Sequence, residues 1–179
     1  MKTETMKKFN RRTYPSLMKL LSDVSKIFSE RKKIQQLMGG ELIDKPFRER
    51  LMLAVTSVNQ CLYCSYVHSE LAFKEGISIE EIGELCDGYL DKCPQEELPA
   101  LLYAQHWAES EGRPQPEIRQ HILDTYGEEK ADAIELSIRM IHTANLLGNT
   151  LDLILYKLTF GYYNFKRNPG KACAHIEYT

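Results

Sequence analysis

The sequence predicts an all-α protein, a single-domain helical bundle. Apolar residues recur at the three- and four-residue spacing of amphipathic helices along most of the chain, and no segment shows the alternation of a strand. Proline and glycine fall where such helices begin and end. With 179 residues, of which 43% are hydrophobic, the chain is long enough to bury one core without disulfide support.

The first predicted helix follows Pro15 and carries one largely apolar face as far as Met38, and Gly39-Gly40 closes it. The second runs from Phe47 to about Val58. Pro46 opens it, because proline suits the first turn of a helix, where the backbone N–H has no partner in any case.

Asn59-Gln60 predicts a break, after which a third helix spans about residues 61–74 and stops before Gly76. A fourth helix begins at Ser78. Ser78 and Glu81 have the spacing of a capping box, in which each side chain binds the other residue's backbone N–H.

Pro94 predicts the start of a fifth helix, with Pro99 early in it as a residue that can kink or delay it. Pro116 opens a short sixth helix, and the last helix spans about residues 128–160. Gly148 lies inside that last helix, where glycine permits a kink or a close helix crossing.

We expect a flexible basic N-terminal arm at 1–14, a helical domain at 15–161 and a C-terminal tail at 162–179. The formal net charge of −2 favours no polyanionic partner such as nucleic acid. Residues 1–14 lack the apolar core of a signal peptide, and no apolar run reaches membrane-spanning length. The sequence therefore predicts a cytoplasmic protein with no membrane partner.

The chain has five cysteines, an odd number that argues against a disulfide framework in a chain of this size. Cys61 and Cys64 stand three residues apart, so they share one face of a helix and their sulfurs can form a small disulfide ring. The positive end of a helix favours thiolate over thiol. This pattern predicts a redox-active dithiol.

His68 lies one turn beyond Cys64 on the same helix face, where an imidazole can take the thiol proton or stabilise the thiolate. That spacing favours Cys64 as the attacking sulfur. The helix dipole alone favours Cys61 instead, because Cys61 is nearer the helix N-terminus. Glu49 is a fourth candidate: if the two helices are antiparallel, its carboxylate can orient His68 or relay a proton.

The pattern Glu49, Cys61, Cys64 and His68, with its spacings, resembles the redox motif of the alkylhydroperoxidase D-like proteins of the carboxymuconolactone decarboxylase superfamily. The close resemblance covers about residues 46–85. It implies an all-helical homo-oligomer and a thiol peroxidase or disulfide reductase that binds no metal or other cofactor. It also implies Cys61 and Cys64 as the redox pair and Glu49 and His68 as the proton relay.

The resemblance further implies a small hydroperoxide or disulfide as substrate, a lipoamide-type dithiol as electron donor, and a peroxiredoxin or lipoyl protein as redox partner. Tyr63 departs from the pattern, because some peroxidase members have a second histidine between the cysteines. A phenol titrates near pH ~10 and is a weak base at neutral pH. This substitution predicts weakened peroxidase activity.

Two alternatives stay open. One is a decarboxylase-type lyase of the same superfamily, whose chemistry needs no cysteine pair. The other is a non-catalytic module that binds a protein partner or zinc, with Cys61, Cys64 and His68 as ligands and Cys86 or Cys93 as a fourth. We favour the redox interpretation because the three local ligands share one helix face.

A polar stripe of His142, Asn145, Asn149 and Asp152 runs along the last helix at spacings of three and four. The preferred interpretation is a solvated face of an amphipathic helix. The alternative is a polar layer that lines the active-site cavity or a subunit interface.

Overall fold

The computed structural model describes residue 9 and residues 11–160. Within them the chain forms eight helices and no strand: α1 Leu17–Ser29, α2 Arg31–Gly39, α3 Lys45–Asn59, α4 Leu62–Lys74, α5 Ile79–Asp87, α6 Leu98–Glu109, α7 Pro116–Tyr126 and α8 Glu128–Leu158. The predicted all-α fold is confirmed. The predicted tail at 162–179 and most of the arm at 1–14 lie outside the described residues.

The centre of the bundle is α3, which packs against α4, α5, α6 and α8. Ten of its fifteen residues are buried, on all sides of the helix, as expected for an element surrounded by others. Asp44 caps its start by accepting the Phe47 N–H at 2.8 Å, and Pro46 occupies the first turn. This central helix carries Glu49 and ends two residues before Cys61.

The single helix predicted over residues 17–38 is wrong, because the chain forms two helices that meet at Glu30. The Ser29 hydroxyl donates to the Lys26 carbonyl at 2.7 Å, and a side-chain bond of this kind competes with the helical backbone pattern. At the break, the Glu30 carboxylate forms an ion pair with Arg139 on α8, at 2.7 Å. No proline or glycine marks the break.

The fifth predicted helix also starts later than expected, at Leu98 instead of Pro94. Residues 94–97 form a turn in which the Glu97 N–H donates to the Pro94 carbonyl at 3.0 Å. Pro99 determines the start, because its ring is tolerated only within the first turn of a helix.

The capping box predicted at α5 is half formed. The Ser78 hydroxyl accepts the Glu81 N–H at 3.2 Å, but the Glu81 carboxylate turns to Arg50 on α3, 2.5 Å from Nε. A charged partner is the stronger one for a carboxylate. Among the helices described, none is long and apolar enough to cross a membrane.

Candidate active site

The site begins at the sharp turn between α3 and α4. Gln60 has left-handed backbone angles (φ 57°, ψ 39°), and this conformation reverses the chain within one residue. Cys61 follows as the N-cap of α4, and its sulfur accepts the Cys64 N–H at 3.5 Å. The predicted helix start at residue 61 is therefore the cap position, and α4 itself begins at Leu62.

The turn brings the two sulfurs together: Cys61 Sγ and Cys64 Sγ lie 2.8 Å apart. Both side chains are buried, with exposed fractions of 2% and 7%, and both are free cysteines. Tyr63, between them, points outward and is 75% exposed. The motif thus presents two adjoining buried thiols beneath an exposed aromatic ring.

The surroundings of the two thiols favour a negative charge on Cys61. The hydrogen bond that the two sulfurs share, with a second from the Cys64 N–H to the Cys61 sulfur, outweighs burial and lowers the pKa of Cys61. The same shared proton, with burial, raises the pKa of Cys64. Of the two sulfurs, Cys61 is therefore the one that more readily carries a negative charge.

Glu49 and His68 form a second close pair. His68 Nδ1 lies 2.7 Å from Glu49 Oε2, and Arg48 binds the other carboxylate oxygen at 2.9–3.0 Å. Burial favours a raised pKa for Glu49, but the hydrogen bonds and charges of His68 and Arg48 outweigh it and lower that pKa. An ionised Glu49 requires Nδ1 to carry a proton, which leaves Nε2 as the nitrogen that can accept one.

Arg48 is itself held between helices, because its guanidinium also donates to the Leu37 and Met38 carbonyls at the end of α2, at 3.2 and 3.0 Å. Glu49 is 1% exposed and His68 17% exposed at the side chain. No hydrogen bond among the described residues joins this pair to the two sulfurs. The structure thus arranges the four predicted residues as two pairs, Cys61 with Cys64 and Glu49 with His68.

The polar stripe on α8 is buried, so its preferred interpretation as a solvated face is wrong for three of its four members. Asn145 and Asn149 are fully buried and His142 is 7% exposed. They bind the end of α3: Asn145 pairs with Thr56 at 3.1–3.2 Å, and His142 Nδ1 accepts from Asn59 at 3.1 Å. Burial lowers the pKa of His142 to about 4, so the ring is neutral at pH 7.

The same stretch of α8 backs the redox pair. A Cβ added at Gly148 would lie 3.1 Å from Cys61 Sγ, so the glycine allows α8 to approach the sulfur closely. Next to it, Asn149 Nδ2 donates to the Asn59 carbonyl at 2.8 Å, two residues before Cys61. At Gly148, where a close helix crossing was expected, α8 therefore packs directly against the Cys61 sulfur.

Sequence reasoning missed the partners that the stripe finds on α3 and in the N-terminal segment. Thr56 and Asn59 carry a usable signal, because they lie four and seven residues after Met52 on a face of α3 that also includes buried Val55. Arg11 carries no such signal. Its guanidinium lies 2.5 Å from Asp152 Oδ2, but the two residues are 141 positions apart in the sequence.

The remaining described cysteines stand apart from this site. Cys93 is a free, buried thiol, and Cys86, whose sulfur lies 3.5 Å from the Ser69 hydroxyl, is disulfide-bonded. A disulfide-bonded Cys86 cannot serve as the fourth ligand in the zinc alternative, because the thiolate is the form that binds a metal. Residues 9 and 11–160 contain no group of three or more His, Cys, Asp or Glu side chains arranged to hold a metal ion.

Residues 32–109 match the model of the carboxymuconolactone decarboxylase family, which includes alkylhydroperoxidase D-like proteins. The match runs from α2 to the last residue of α6 and contains Glu49, Cys61, Cys64 and His68. It confirms the resemblance over these residues. No curated protein and no solved structure gave a significant match to the chain.

Proposed function

We propose that this protein is a thiol-dependent oxidoreductase that cycles Cys61 and Cys64 between dithiol and disulfide. The observation that carries the proposal is the pair of buried sulfurs 2.8 Å apart at the N-terminus of α4. Closing a disulfide from this arrangement needs a movement of less than an ångström, since an S–S bond is about 2.05 Å long. The family match supports it, because the family includes peroxidases.

In the first step the Cys61 thiolate attacks the distal oxygen of a hydroperoxide. The S–O bond forms as the O–O bond breaks, giving a Cys61 sulfenic acid and an alkoxide, which takes a proton to leave as an alcohol. We assign that proton to His68, with Glu49 holding the imidazole and balancing its charge. The hydrogen bond at 2.7 Å between the two residues supports this role.

In the second step Cys64 attacks the sulfenic sulfur, the S–S bond forms, and the hydroxyl leaves as water with the Cys64 proton. A dihydrolipoamide-type dithiol then reduces the disulfide by exchange, is itself oxidised, and returns both thiols. The cycle requires no bound metal, flavin or other cofactor. The choice of Cys61 as attacking sulfur replaces the Cys64 hypothesis, because the donors that stabilise a thiolate converge on Cys61.

Turnover of cumene hydroperoxide with dihydrolipoamide tests the function. We expect the wild type and Cys93→Ser to turn over equally, whereas Cys61→Ser and Cys64→Ser lose at least about a hundredfold in rate, the scale for removal of a nucleophile. Equal rates in all four proteins would contradict the dithiol cycle. Slow wild-type turnover with intact two-cysteine dependence would instead show the weak peroxidase activity that Tyr63 predicts.

Trapping of the sulfenic acid with dimedone identifies the attacking sulfur. Cys64→Ser keeps Cys61 but removes its resolving partner, so dimedone should label Cys61 in this variant. Cys61→Ser should give little label on Cys64. The reverse pattern would restore the Cys64 hypothesis and leave the cycle itself standing.

We also propose a cytoplasmic homo-oligomer that exchanges electrons with a peroxiredoxin or a lipoyl protein. Exposed apolar side chains on α1 and at the end of α8 support self-association, since large exposed apolar areas are typical of interfaces. They are Leu17, Met18, Leu21, Phe28, Leu151, Ile154, Leu155 and Leu158. Sedimentation equilibrium tests this, and a monomer at micromolar concentration would contradict it.

A further inference from the structure

The residues just before α1 lie along α8 and are bonded to it repeatedly. The Tyr14 N–H donates to the Thr150 hydroxyl at 2.9 Å, and the Arg12 carbonyl accepts from Asn149 Nδ2 at 2.9 Å. The Arg12 guanidinium donates to the Glu109 carbonyl at the end of α6, at 3.1 Å. Residues 11–14 therefore form a strap that lies over the part of α8 that backs the redox pair.

Arg11 makes the strap's charged contact. Its Nη1 lies 2.5 Å from Asp152 Oδ2 and 3.4 Å from Asn149 Oδ1, and its guanidinium stacks over the Phe9 ring, 4.6 Å from the centroid. The side chains of Arg11 and Asp152 are 14% and 23% exposed. A carboxylate this shielded from solvent acts on neighbouring charges more strongly than a surface one.

Asp152 lies one turn beyond Gly148, the residue in contact with the Cys61 sulfur. Asn149 lies between them and joins Arg11, through its Oδ1, to the Asn59 carbonyl, through its Nδ2. The ion pair and the redox pair thus share one short stretch of α8.

We propose that Arg11 and Asp152 are positioning residues for the redox pair: Arg11 neutralises Asp152 beside Cys61 and anchors the strap, so that Cys61 can carry a negative charge. This inference rests on the proposed function. The charged or titratable groups that act on Cys61 are Cys64, Asp152 and Arg11, and the last two oppose each other, since Asp152 raises the pKa of Cys61 and Arg11 lowers it.

The consequences of removing each charge have opposite signs. Without the guanidinium, the Asp152 carboxylate is uncompensated and disfavours the thiolate; without the carboxylate, the guanidinium favours it. Removing both restores the balance. A purely structural role for the ion pair predicts a different pattern, in which both single variants loosen the strap and change Cys61 in the same direction.

The experiment measures the rate of Cys61 alkylation by iodoacetamide from pH 5 to 9, mapped by peptide mass spectrometry in fully reduced protein. Arg11→Met leaves one unbalanced charge on the stretch of α8 that backs Cys61, and this should lower the rate at pH 7 roughly three- to tenfold. Asp152→Asn should raise it by a similar factor. The double variant and Arg11→Lys should both stay close to wild type.

The matched control is Arg113→Met, which removes an arginine whose side chain is 80% exposed and should not change the rate. Thermal unfolding of each variant shows whether it is folded, and Arg11→Lys and Asp152→Asn remain informative if Arg11→Met is not. Single variants that change the Cys61 alkylation rate in the same direction, or a double variant that departs from wild type as far as either single variant does, would overturn the proposal.

No oxidant enters this measurement, so it is independent of turnover. A chain that fails to cycle with any hydroperoxide or dithiol but shows the opposed shifts would retract the proposed function and keep the assignment of Arg11 and Asp152. Normal cycling without the opposed shifts would keep the proposed function and retract the assignment of Arg11 and Asp152.

Discussion

The described part of the chain contains three free cysteines that are almost equally buried, yet their surroundings differ in kind. Cys61, at the α3–α4 turn, is 2% exposed and accepts a hydrogen bond from the Cys64 N–H. Cys93, in the turn before α6, is 5% exposed. Burial and the Glu81 carboxylate raise the pKa of Cys93 to about 12.

The contrast shows that burial does not decide whether a thiol is reactive; the neighbouring donors and charges do. Donors face Cys61 and make it a candidate nucleophile. Around Cys93, burial and the carboxylates of Glu81 and Glu97, which Arg50 only partly balances, keep the thiol protonated. The two regions also differ in how burial and charge act on their ionisable groups, and the free energy of unfolding measures this difference.

The largest effect is expected at Glu49, the buried carboxylate on the redox side. Glu49→Gln leaves the Arg48 guanidinium, 6% exposed at the side chain, without a counter-charge. Breaking a buried pair in this way costs about 3–5 kcal/mol in the free energy of unfolding. Urea unfolding at pH 7.5 measures it.

Glu109→Gln is the matched control, since Glu109 is exposed at the last turn of α6, and its effect should stay within about 0.5 kcal/mol. If Glu49→Gln changes stability no more than this control does, the buried Arg48–Glu49 pair is not the support for His68 that the geometry indicates.

The two regions should respond to pH with opposite signs. The folded pKa of His142, about 4, lies below its ordinary 6.5. The unfolded chain therefore binds this proton first, and stability is lost as pH falls from 6.5 towards 4. Glu97, beside Cys93, has a pKa raised by burial from 4.5 to about 7. The folded chain binds that proton first, and stability is gained as pH falls through 7.

Between pH 7.5 and pH 5 each group contributes a change of about 2 kcal/mol, and the two nearly cancel in the wild type. Over this range His142→Gln should gain about 2 kcal/mol relative to wild type, and Glu97→Gln should lose about as much. Urea unfolding of both variants at the two pH values provides the check. Parallel pH profiles for both variants would remove the electrostatic distinction between the regions.

The smallest effect is expected at Gly148. Gly148→Ala gains helix propensity of about 1 kcal/mol, but its methyl meets the Cys61 sulfur at 3.1 Å, closer than an ordinary contact. We expect a net change within about 1 kcal/mol, with slower alkylation of Cys61. Gly83→Ala is the control, because a Cβ there meets nothing within 4 Å. An unchanged Cys61 rate in Gly148→Ala would show that the contact does not shape the site.

Much of the fold followed from local signals, because Pro46, Ser78 and Pro116 act within one turn of where they stand. The break at Glu30 did not, since no proline or glycine marks it and Glu30 there pairs with Arg139, 109 residues away. Helix periodicity reports which face is apolar, but not where a second helix supplies partners for a polar face.

The site divides in the same way. Cys61 and Cys64 are neighbours in sequence, so their spacing predicts their contact. Glu49 and His68 pair across two helices, so the sequence alone predicts their contact only on the condition that the two helices are antiparallel, and the family resemblance supplied the rest. The stripe on α8 was misread because an asparagine faces solvent unless a partner such as Thr56, 89 residues away, meets it. Spacing along one helix contains no information about such a partner.

Redox mapping of the three free thiols tests the central claim most directly. Reduced wild-type protein is treated with one equivalent of cumene hydroperoxide and then with dihydrolipoamide, and each cysteine is quantified by isotope-coded alkylation. We expect a Cys61–Cys64 disulfide after the first addition, two recovered thiols after the second, and Cys93 reduced throughout. Oxidation of Cys93 as fast as the pair, or a pair that stays reduced towards both the hydroperoxide and oxidised lipoamide, would contradict the central claim.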